Sequence, residues 1–372
     1  MGDGKDCLPA VAMVVVQVGY AGLNVVSKLA MNTGMNPFVM VAYRQVVATI
    51  FLTPLAYFYE GKTWTRVTSA IIFQIFLSSI FGATLNQLLY FLGLKYSTPT
   101  VACALSNTLP AITFIMAVPF RMETVGIRTK SGVAKVLGTV VCVGGSMLMT
   151  FYKGNLVRLP PSGIHWKYAE EVEGSGASAA AADEEKMALG AALVVLSCVA
   201  WAVWFIIQTK MSRTFASPYT SSALMCFMAS FQCLAVGAAV ERKISGWKVG
   251  FDIRLVASVY TGVVGSGLAF VLMSWCIQRR GPLFVSMFSP LLLVIVAVLG
   301  WAILDEKLYV GSVVGSALIV GGLYLVLWGK GQELSDQKKS TSSTVNIGGG
   351  KSNVMDEEQG QHGAIGLTPY SP

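Results

Sequence analysis

The hydrophobic positions of the chain fall into long apolar blocks that short polar connectors separate. A transmembrane helix needs about 20 consecutive, mostly apolar residues. Ten blocks meet this length: Leu8–Ala30, Phe38–Tyr59, Ala70–Leu94, Thr100–Phe120, Gly132–Phe151, Met187–Gln208, Tyr219–Val240, Leu255–Ile277, Pro282–Leu304 and Leu308–Trp328. Most connectors are shorter than about ten residues, so we expect neighbouring helices to pack antiparallel. The pattern predicts an all-α integral membrane protein with ten transmembrane helices.

The composition agrees with this prediction. Of the 372 residues, 54% are hydrophobic and 12% are charged, whereas a soluble domain carries about 25% charged residues. The net charge of +8 does not indicate nucleic-acid binding, because the basic residues are scattered over the loops and form no stripe. In the first half, the basic loop residues other than Lys95 lie on the side of the N-terminus. The positive-inside rule therefore predicts that both termini are cytoplasmic.

The two halves of the chain repeat each other at fixed offsets. At an offset of 181 residues, Pro37 matches Pro218 and Glu60 matches Glu241; at 183 residues, Gly82 matches Gly265, Ser106 matches Ser289 and Glu123 matches Glu306. Each half contains five spans, so the second half must enter the membrane upside down relative to the first. Such inverted repeats are typical of secondary transporters, which bind substrate near the midplane between the repeats. We therefore predict two inverted five-helix repeats at residues 8–151 and 187–329.

Two segments lie outside the repeats. Residues 152–186 include an acidic run rich in Ala, Ser and Gly, and they are predicted to form a flexible extracytoplasmic loop. Residues 330–372 are polar and are predicted to form a disordered cytoplasmic tail.

Polar side chains recur along one face of several predicted spans. The first span carries Gln17, Tyr20 and Asn24 at helical spacing, and the fourth carries a stripe that includes Ser106 and Asn107. An interhelical hydrogen bond explains any one of these residues, whereas the two stripes together predict a shared polar cavity. With residues from the second, third and sixth spans, the candidate binding residues are Gln17, Tyr20, Asn24, Arg44, Asn86, Gln87, Ser106, Asn107, Trp201 and Gln208.

Arg44 lies among apolar neighbours about a third of the way into the second span. A buried guanidinium needs a partner, and it matches a carboxylate through two parallel hydrogen bonds. No Asp or Glu lies within the ten predicted spans. Two interpretations stay open: Arg44 binds a substrate carboxylate, or it anchors the structure by reaching the interface or backbone carbonyl groups. The lack of acids also favours facilitated over proton-coupled transport, unless Glu123 or Glu306 acts from a span end.

No residue pattern indicates an enzyme, a metal site or a cofactor. The two histidines, His165 and His362, fall in predicted loops, and no nucleophile–base pair or phosphate-binding glycine loop is present. Six of the seven cysteines lie in predicted spans without a C-x-x-C pair. We interpret them as packing residues.

Six segments spread over residues 8–330 together form a specific pattern. They are QVGYAGLNVVSKLAMNTGM (17–35), VAYRQVVATIFLTPLAYFYE (41–60), NQLLYFLGLKYSTPT (86–100), SNTLPAITFIMAVPFRMETV (106–125), RRGPLFVSMFSPLLLVIVAVLG (279–300) and LYLVLWGK (323–330). They resemble the plant nodulin-type EamA-domain transporters, the WAT-related UMAMIT family of the drug/metabolite transporter superfamily. The resemblance implies ten helices in two EamA repeats and bidirectional, largely facilitated movement of amino acids, often as export.

The sequence thus predicts a multi-pass transporter of amino acids or similar small organic solutes that works by alternating access. The expected partners are a small-molecule substrate and the lipid bilayer, not nucleic acid. The resemblance favours the plasma membrane, with the vacuolar membrane as the alternative. Two functional alternatives stay open. One is transport of auxin or another indolic solute, with stacking surfaces from Trp201, Trp204 and Trp275; the other is a non-transporting receptor or adaptor.

Overall fold

The computed structural model describes residues 3–61, 67–96, 105–120, 122, 129–152, 154–156, 184–304 and 309–355. Over these residues the chain is almost wholly helical, and the only β pairing is an isolated bridge between Leu156 and Tyr309. Nine helices in the described part are long and apolar enough to cross a membrane. The predicted all-α membrane fold is confirmed.

We number the helices so that each repeat contributes five. Six of them are α1 (Asp3–Asn32), α2 (Pro37–Glu60), α4 (Leu109–Ala117), α5 (Lys130–Phe151), α6 (Glu184–Thr214) and α7 (Pro218–Val240). Helices α3 (Ser69–Ser78, Ser79–Leu85, Asn86–Tyr96) and α8 (Ile253–Tyr260, Thr261–Leu268, Ala269–Arg280) each contain a central π-helical piece. Helix α9 has two pieces (Pro282–Ser286, Leu291–Leu304), and α10 is Val310–Met355. The fourth predicted span is described only from residue 105.

The helices begin where local sequence favours a start. Asn36 caps α2 by accepting a hydrogen bond from the Phe38 amide at 3.0 Å, and Pro37 follows at the first helical position. Thr129 caps α5 by accepting from the Gly132 amide at 3.1 Å. These side chains satisfy amides that have no partner within the helix, and proline loses nothing in the first turn.

The helices pack in a pattern that is related by the repeat. Helix α5 packs on its equivalent α10, and α2 packs on its equivalent α7. Helix α6 packs on α4 and the second half of α3, while α1 packs correspondingly on α9 and the second half of α8. The two halves therefore interlock.

The π-helical pieces of α3 and α8 are also equivalent, because their last residues, Leu85 and Leu268, lie 183 positions apart. A side chain at Gly82 would collide with Trp204, and one at Gly265 would collide with Leu23. Trp204 and Leu23 are themselves equivalent at the 181-residue offset. The glycine in each π-helical piece thus lets a neighbouring helix approach the backbone closely at the same point of the repeat.

Glutamates at the ends of α2 and α7 hold the start of the opposite helix. Glu60 accepts hydrogen bonds from the Tyr219 amide (3.3 Å) and the Thr220 amide (2.8 Å) at the start of α7. Its equivalent, Glu241, accepts from Nδ2 of Asn36, the cap of α2, at 3.2 Å. A carboxylate at a helix N-terminus is stabilised by the helix dipole. The α2–α7 pair is therefore held together at both ends.

The last helix extends beyond the predicted repeat. Helix α10 continues to Met355 rather than ending near residue 329. A helix that is already formed in the membrane adds residues at little nucleation cost, and Glu333 ties this extension to buried Lys135 at 3.0 Å. Residues 356–372, and residues 157–183 of the predicted loop, lie outside the described residues.

Candidate functional site

A cavity of about 310 Å³ lies between the two repeats. Its described walls come from α1, α3, α4 and the residues just before it, α6, α8 and α9. Tyr20 is near the middle of the apolar stretch Leu8–Met31, and Trp201 is near the middle of Met187–Thr214. The cavity therefore lies near the depth of the bilayer midplane, and its volume is in the range that small-molecule sites use.

Seven of the ten predicted binding residues line this cavity. They are Gln17, Tyr20, Asn24, Asn86, Ser106, Asn107 and Trp201. Within the described residues, the hydroxyl of Tyr20 is buried without a hydrogen-bond partner, and the side chains of Gln17 and Asn24 form no hydrogen bond. Unsatisfied polar groups are costly in the membrane interior, so we expect water or solute to bind here.

Asn86 has a structural contact in addition to its place in the cavity. Its Nδ2 donates to the Ser197 carbonyl at 2.9 Å and so links α3 to α6. Its carbonyl oxygen is the group that stays available to a solute.

Two helices are interrupted where they meet the cavity. A turn at residues 107–108 precedes α4, and a turn at residues 287–290 separates the two pieces of α9. Ser106, just before the first turn, and Ser289, within the second, occupy equivalent positions of the repeat and line the cavity. Interrupted helices expose backbone groups, and transporters use them to bind solutes at the midplane.

Arg44 does not line the cavity. Its Nε donates to Oγ of Ser266 and its Nη2 donates to the Gly265 carbonyl, both at 2.7 Å. Both acceptors belong to the π-helical piece of α8. This geometry matches the anchor interpretation, in which Arg44 pairs with a backbone carbonyl.

Gln87 and Gln208 also lie outside the cavity. Gln87 is buried on another face of α3, and its Oε1 has no partner among the described residues. Gln208 is buried about one turn beyond Phe205 on α6.

An aromatic cluster forms one wall. Trp201 and Phe205 line the cavity, and behind them Trp204 packs with ring centroids 5.0 Å from Trp201 and 5.2 Å from Phe205. Trp204 is fully buried, and its Nε1 donates to Sδ of Met225 at 3.2 Å. Trp275 lies elsewhere, beneath the Arg279 guanidinium. Of the three tryptophans considered for an indolic solute, only Trp201 reaches the cavity.

The described walls carry no charged side chain and no histidine, and the described part of the chain contains no cluster of metal ligands. Glu123, Glu306, His165 and His362 lie outside the described residues. The cavity can therefore hold a solute through neutral hydrogen-bonding groups and apolar contact.

Several lining residues were not predicted from the sequence, among them Tyr90, Met273 and Ser289. The repeat offset is a signal for Ser289, because it lies 183 residues after the predicted Ser106; Tyr90 and Met273 are equivalent to each other at the same offset.

Comparisons with known proteins agree with this architecture. The EamA-like transporter family matches residues 8–151 and 188–328. The chain is 41% identical to WAT1-related protein At5g07050 of Arabidopsis thaliana, over 87% of this chain and 81% of that protein. It is 36% identical to Protein WALLS ARE THIN 1 of the same plant, over 87% and 83%.

A solved crystal structure matches with a TM-score of 0.57 and 16% identity, over 84% of this chain and 96% of that chain. At this identity the likeness shows the fold alone. The two family matches coincide with the two interlocked halves, and the relatives cover most of the chain at more than a third identity. The chain therefore belongs to the EamA-like transporter family and, within that family, to the plant WAT1-related proteins.

Proposed function

We propose that this membrane transporter moves amino acids, or small organic solutes of similar size and polarity, by alternating access. The movement is facilitative and bidirectional, with export as one physiological direction, as in the UMAMIT transporters that its motifs resemble. The observation that supports this proposal is the neutral cavity between the repeats, which combines amide and hydroxyl groups with an aromatic wall.

Amides suit a zwitterionic solute because each offers donors for a carboxylate and an acceptor for an ammonium group. Gln17 and Asn24 form no hydrogen bond with the described residues, so binding a solute breaks no existing contact of theirs. Neutral groups bind charged solutes less tightly than ion pairs do. Such moderate binding favours release on both sides of the membrane.

Alternating access requires one half to move against the other around the cavity. The π-helical pieces of α3 and α8 and the interruptions at α4 and α9 are equivalent places at which the helices can bend. The described walls carry no carboxylate and no histidine, so the proposal predicts flux that does not depend on a proton gradient.

The test is uptake and efflux of a labelled amino-acid panel in proteoliposomes, with and without a pH gradient. Saturable flux in both directions, equal under both conditions, supports the proposal. Gln17→Leu should reduce this flux by about ten-fold, since it removes one hydrogen bond to solute. The matched control is Gln278→Leu, because Gln278 is also an amide with an unpartnered nitrogen but does not line the cavity.

Flux that requires a proton gradient would contradict the facilitative mechanism. No flux of any amino acid from folded protein would contradict the substrate class.

An indolic solute is the second candidate, and the observation that favours it is the Trp201–Phe205 surface with Trp204 behind it. Labelled indole-3-acetate in the same assay distinguishes the two candidates. We further propose the plasma membrane as the site of action, which a fluorescent fusion in plant cells tests against the vacuolar membrane.

A further inference from the structure

The cavity receives side chains from equivalent positions of both repeats. At the 181-residue offset, Gln17, Tyr20 and Asn24 of α1 correspond to Cys198, Trp201 and Phe205 of α6, and all six line the cavity. A solute in the cavity therefore meets the same structural positions twice, once from each half.

The equivalent side chains differ in polarity. All four amides that line the described walls, Gln17, Asn24, Asn86 and Asn107, come from the first repeat. On the second repeat, the only described lining side chains with a hydroxyl or amide are Ser197 and Ser289. The Ser197 hydroxyl donates to the Val194 carbonyl at 2.7 Å, so its only proton is already used. One wall is polar and the other is mostly apolar.

The two walls also differ in how far their groups are committed to protein contacts. On the polar wall, the Tyr20 hydroxyl has no partner within the described residues. On the apolar wall, Trp201 and Phe205 are held by the ring packing of Trp204, and the Phe270 ring lies 6.1 Å from that of Trp201. The polar wall thus offers hydrogen bonds, and the apolar wall offers a fixed surface.

We infer that the solute binds with its polar group on the first repeat and its side chain on the second, and that Phe205 and Met273 select solutes with a large apolar or aromatic side chain. The inference rests on the proposed function, because it takes the cavity as the transport site. A small polar solute leaves the apolar wall uncovered, whereas a wholly apolar solute leaves the Tyr20 hydroxyl, Gln17 and Asn24 without a partner among the described residues. Only an amphiphilic solute satisfies both walls.

The experiment measures ligand-induced thermal stabilisation of the purified full-length chain. The probes are glycine, glutamine, leucine and phenylalanine, which share their charged groups and differ in the side chain. Leucine and phenylalanine should bind the unmodified chain at least about ten-fold more tightly than glycine and glutamine, since apolar pockets discriminate on this scale.

Two reciprocal exchanges separate the walls. Phe205→Asn gives α6 the residue type of its equivalent on α1. It should weaken the binding of leucine and phenylalanine by about ten-fold and leave the binding of glycine unchanged. Asn24→Leu should weaken the binding of all four probes by a similar factor. Phe205→Leu is the matched control, which keeps the wall apolar and should keep the ranking.

Met273→Gln changes the same apolar wall from α8, and it replaces Phe205→Asn in the experiment if that variant does not fold. Equal binding of glutamine and phenylalanine by the unmodified chain, or equal weakening of all probes by both apolar-wall variants, would overturn the inference. A chain that binds with the expected ranking but moves none of the probes contradicts the proposed function alone. Flux without a side-chain preference contradicts only this inference.

Discussion

At the scale of single residues, Arg44 shows how a charged side chain is accommodated inside the helical bundle. A π-helical piece shifts the pairing of backbone groups and leaves carbonyls available to outside donors. Arg44 donates to one such carbonyl, that of Gly265, and also to the side-chain hydroxyl of Ser266. We therefore expect Arg44 to stabilise α8 and not to select the solute.

Arg44→Ala should lower the stability of the fold by about 3 kcal/mol, since it removes two hydrogen bonds of about 1.5 kcal/mol each from a charged group. Flux should fall for all solutes by a similar factor. Thermal unfolding and the labelled panel measure both effects. Arg44→Lys should recover little of the lost stability and flux, because an ammonium lacks the planar arrangement of donors that reaches both acceptors. Selective loss of carboxylate-bearing solutes would instead assign Arg44 to the binding site.

Helical spacing was sufficient to predict much of the cavity at this scale. Gln17, Tyr20 and Asn24 share one face of α1, and the structure places all three in the cavity. Gln87 and Gln208 were less predictable, because the spacing on one helix does not reveal which neighbour a face will meet. The same limit applies to Arg44, whose partners are more than 220 positions away.

At the scale of elements, close helix packing depends on glycines in α5 and α10. A Cβ added at Gly138 would lie 2.7 Å from the Gly322 carbonyl oxygen, whereas one at Gly144 would meet nothing within 4 Å. The two positions lie six residues apart on the same helix. They form a matched pair for testing the contact.

Gly138→Val should destabilise the protein by about 1–3 kcal/mol, because the backbone of α10 must move away. Gly144→Val should leave the stability nearly unchanged. Thermal unfolding in detergent compares the two variants. Equal destabilisation would mean that the loss of glycine itself, and not the α5–α10 contact, sets the effect.

The apolar blocks predicted where most helices lie, because span length and hydropathy are local properties. The π-helical pieces of α3 and α8 were not predicted. They depend on contacts between distant residues, such as the collision that a side chain at Gly82 would have with Trp204.

At the scale of the whole molecule, Glu60 and Glu241 fasten opposite ends of the α2–α7 pair. Under alternating access, Glu60→Gln and Glu241→Gln should therefore shift the equilibrium between the two states, in which the cavity opens to one side of the membrane or the other, in opposite directions. Loss of one charged cap is worth about 1 kcal/mol, which corresponds to about five-fold in population. The measurement is labelling of Asn24→Cys by a membrane-impermeant maleimide in each background. A change in labelling in the same direction in both variants would contradict the prediction that the two glutamates favour opposite conformations.

The transport unit should also be separable from the end of the chain. Deleting residues 339–372 removes none of the described lining residues and leaves the Lys135–Glu333 ion pair intact. Flux in proteoliposomes should stay within about two-fold of the full chain, since the binding groups are unchanged. Loss of flux from folded, truncated protein would favour the adaptor interpretation.

Equivalent positions of the two repeats line the same cavity, and this also affects how such a protein can evolve. A carrier assembled from two identical five-helix chains must present every lining side chain twice, so any substitution alters both walls at once. Joining the copies in one gene removes that constraint. Tyr20 and Trp201, or Asn24 and Phe205, occupy the same place in each copy yet differ in chemistry. One copy can keep the hydrogen-bonding groups while the other diversifies, so paralogues can acquire new cargoes through changes in a single half.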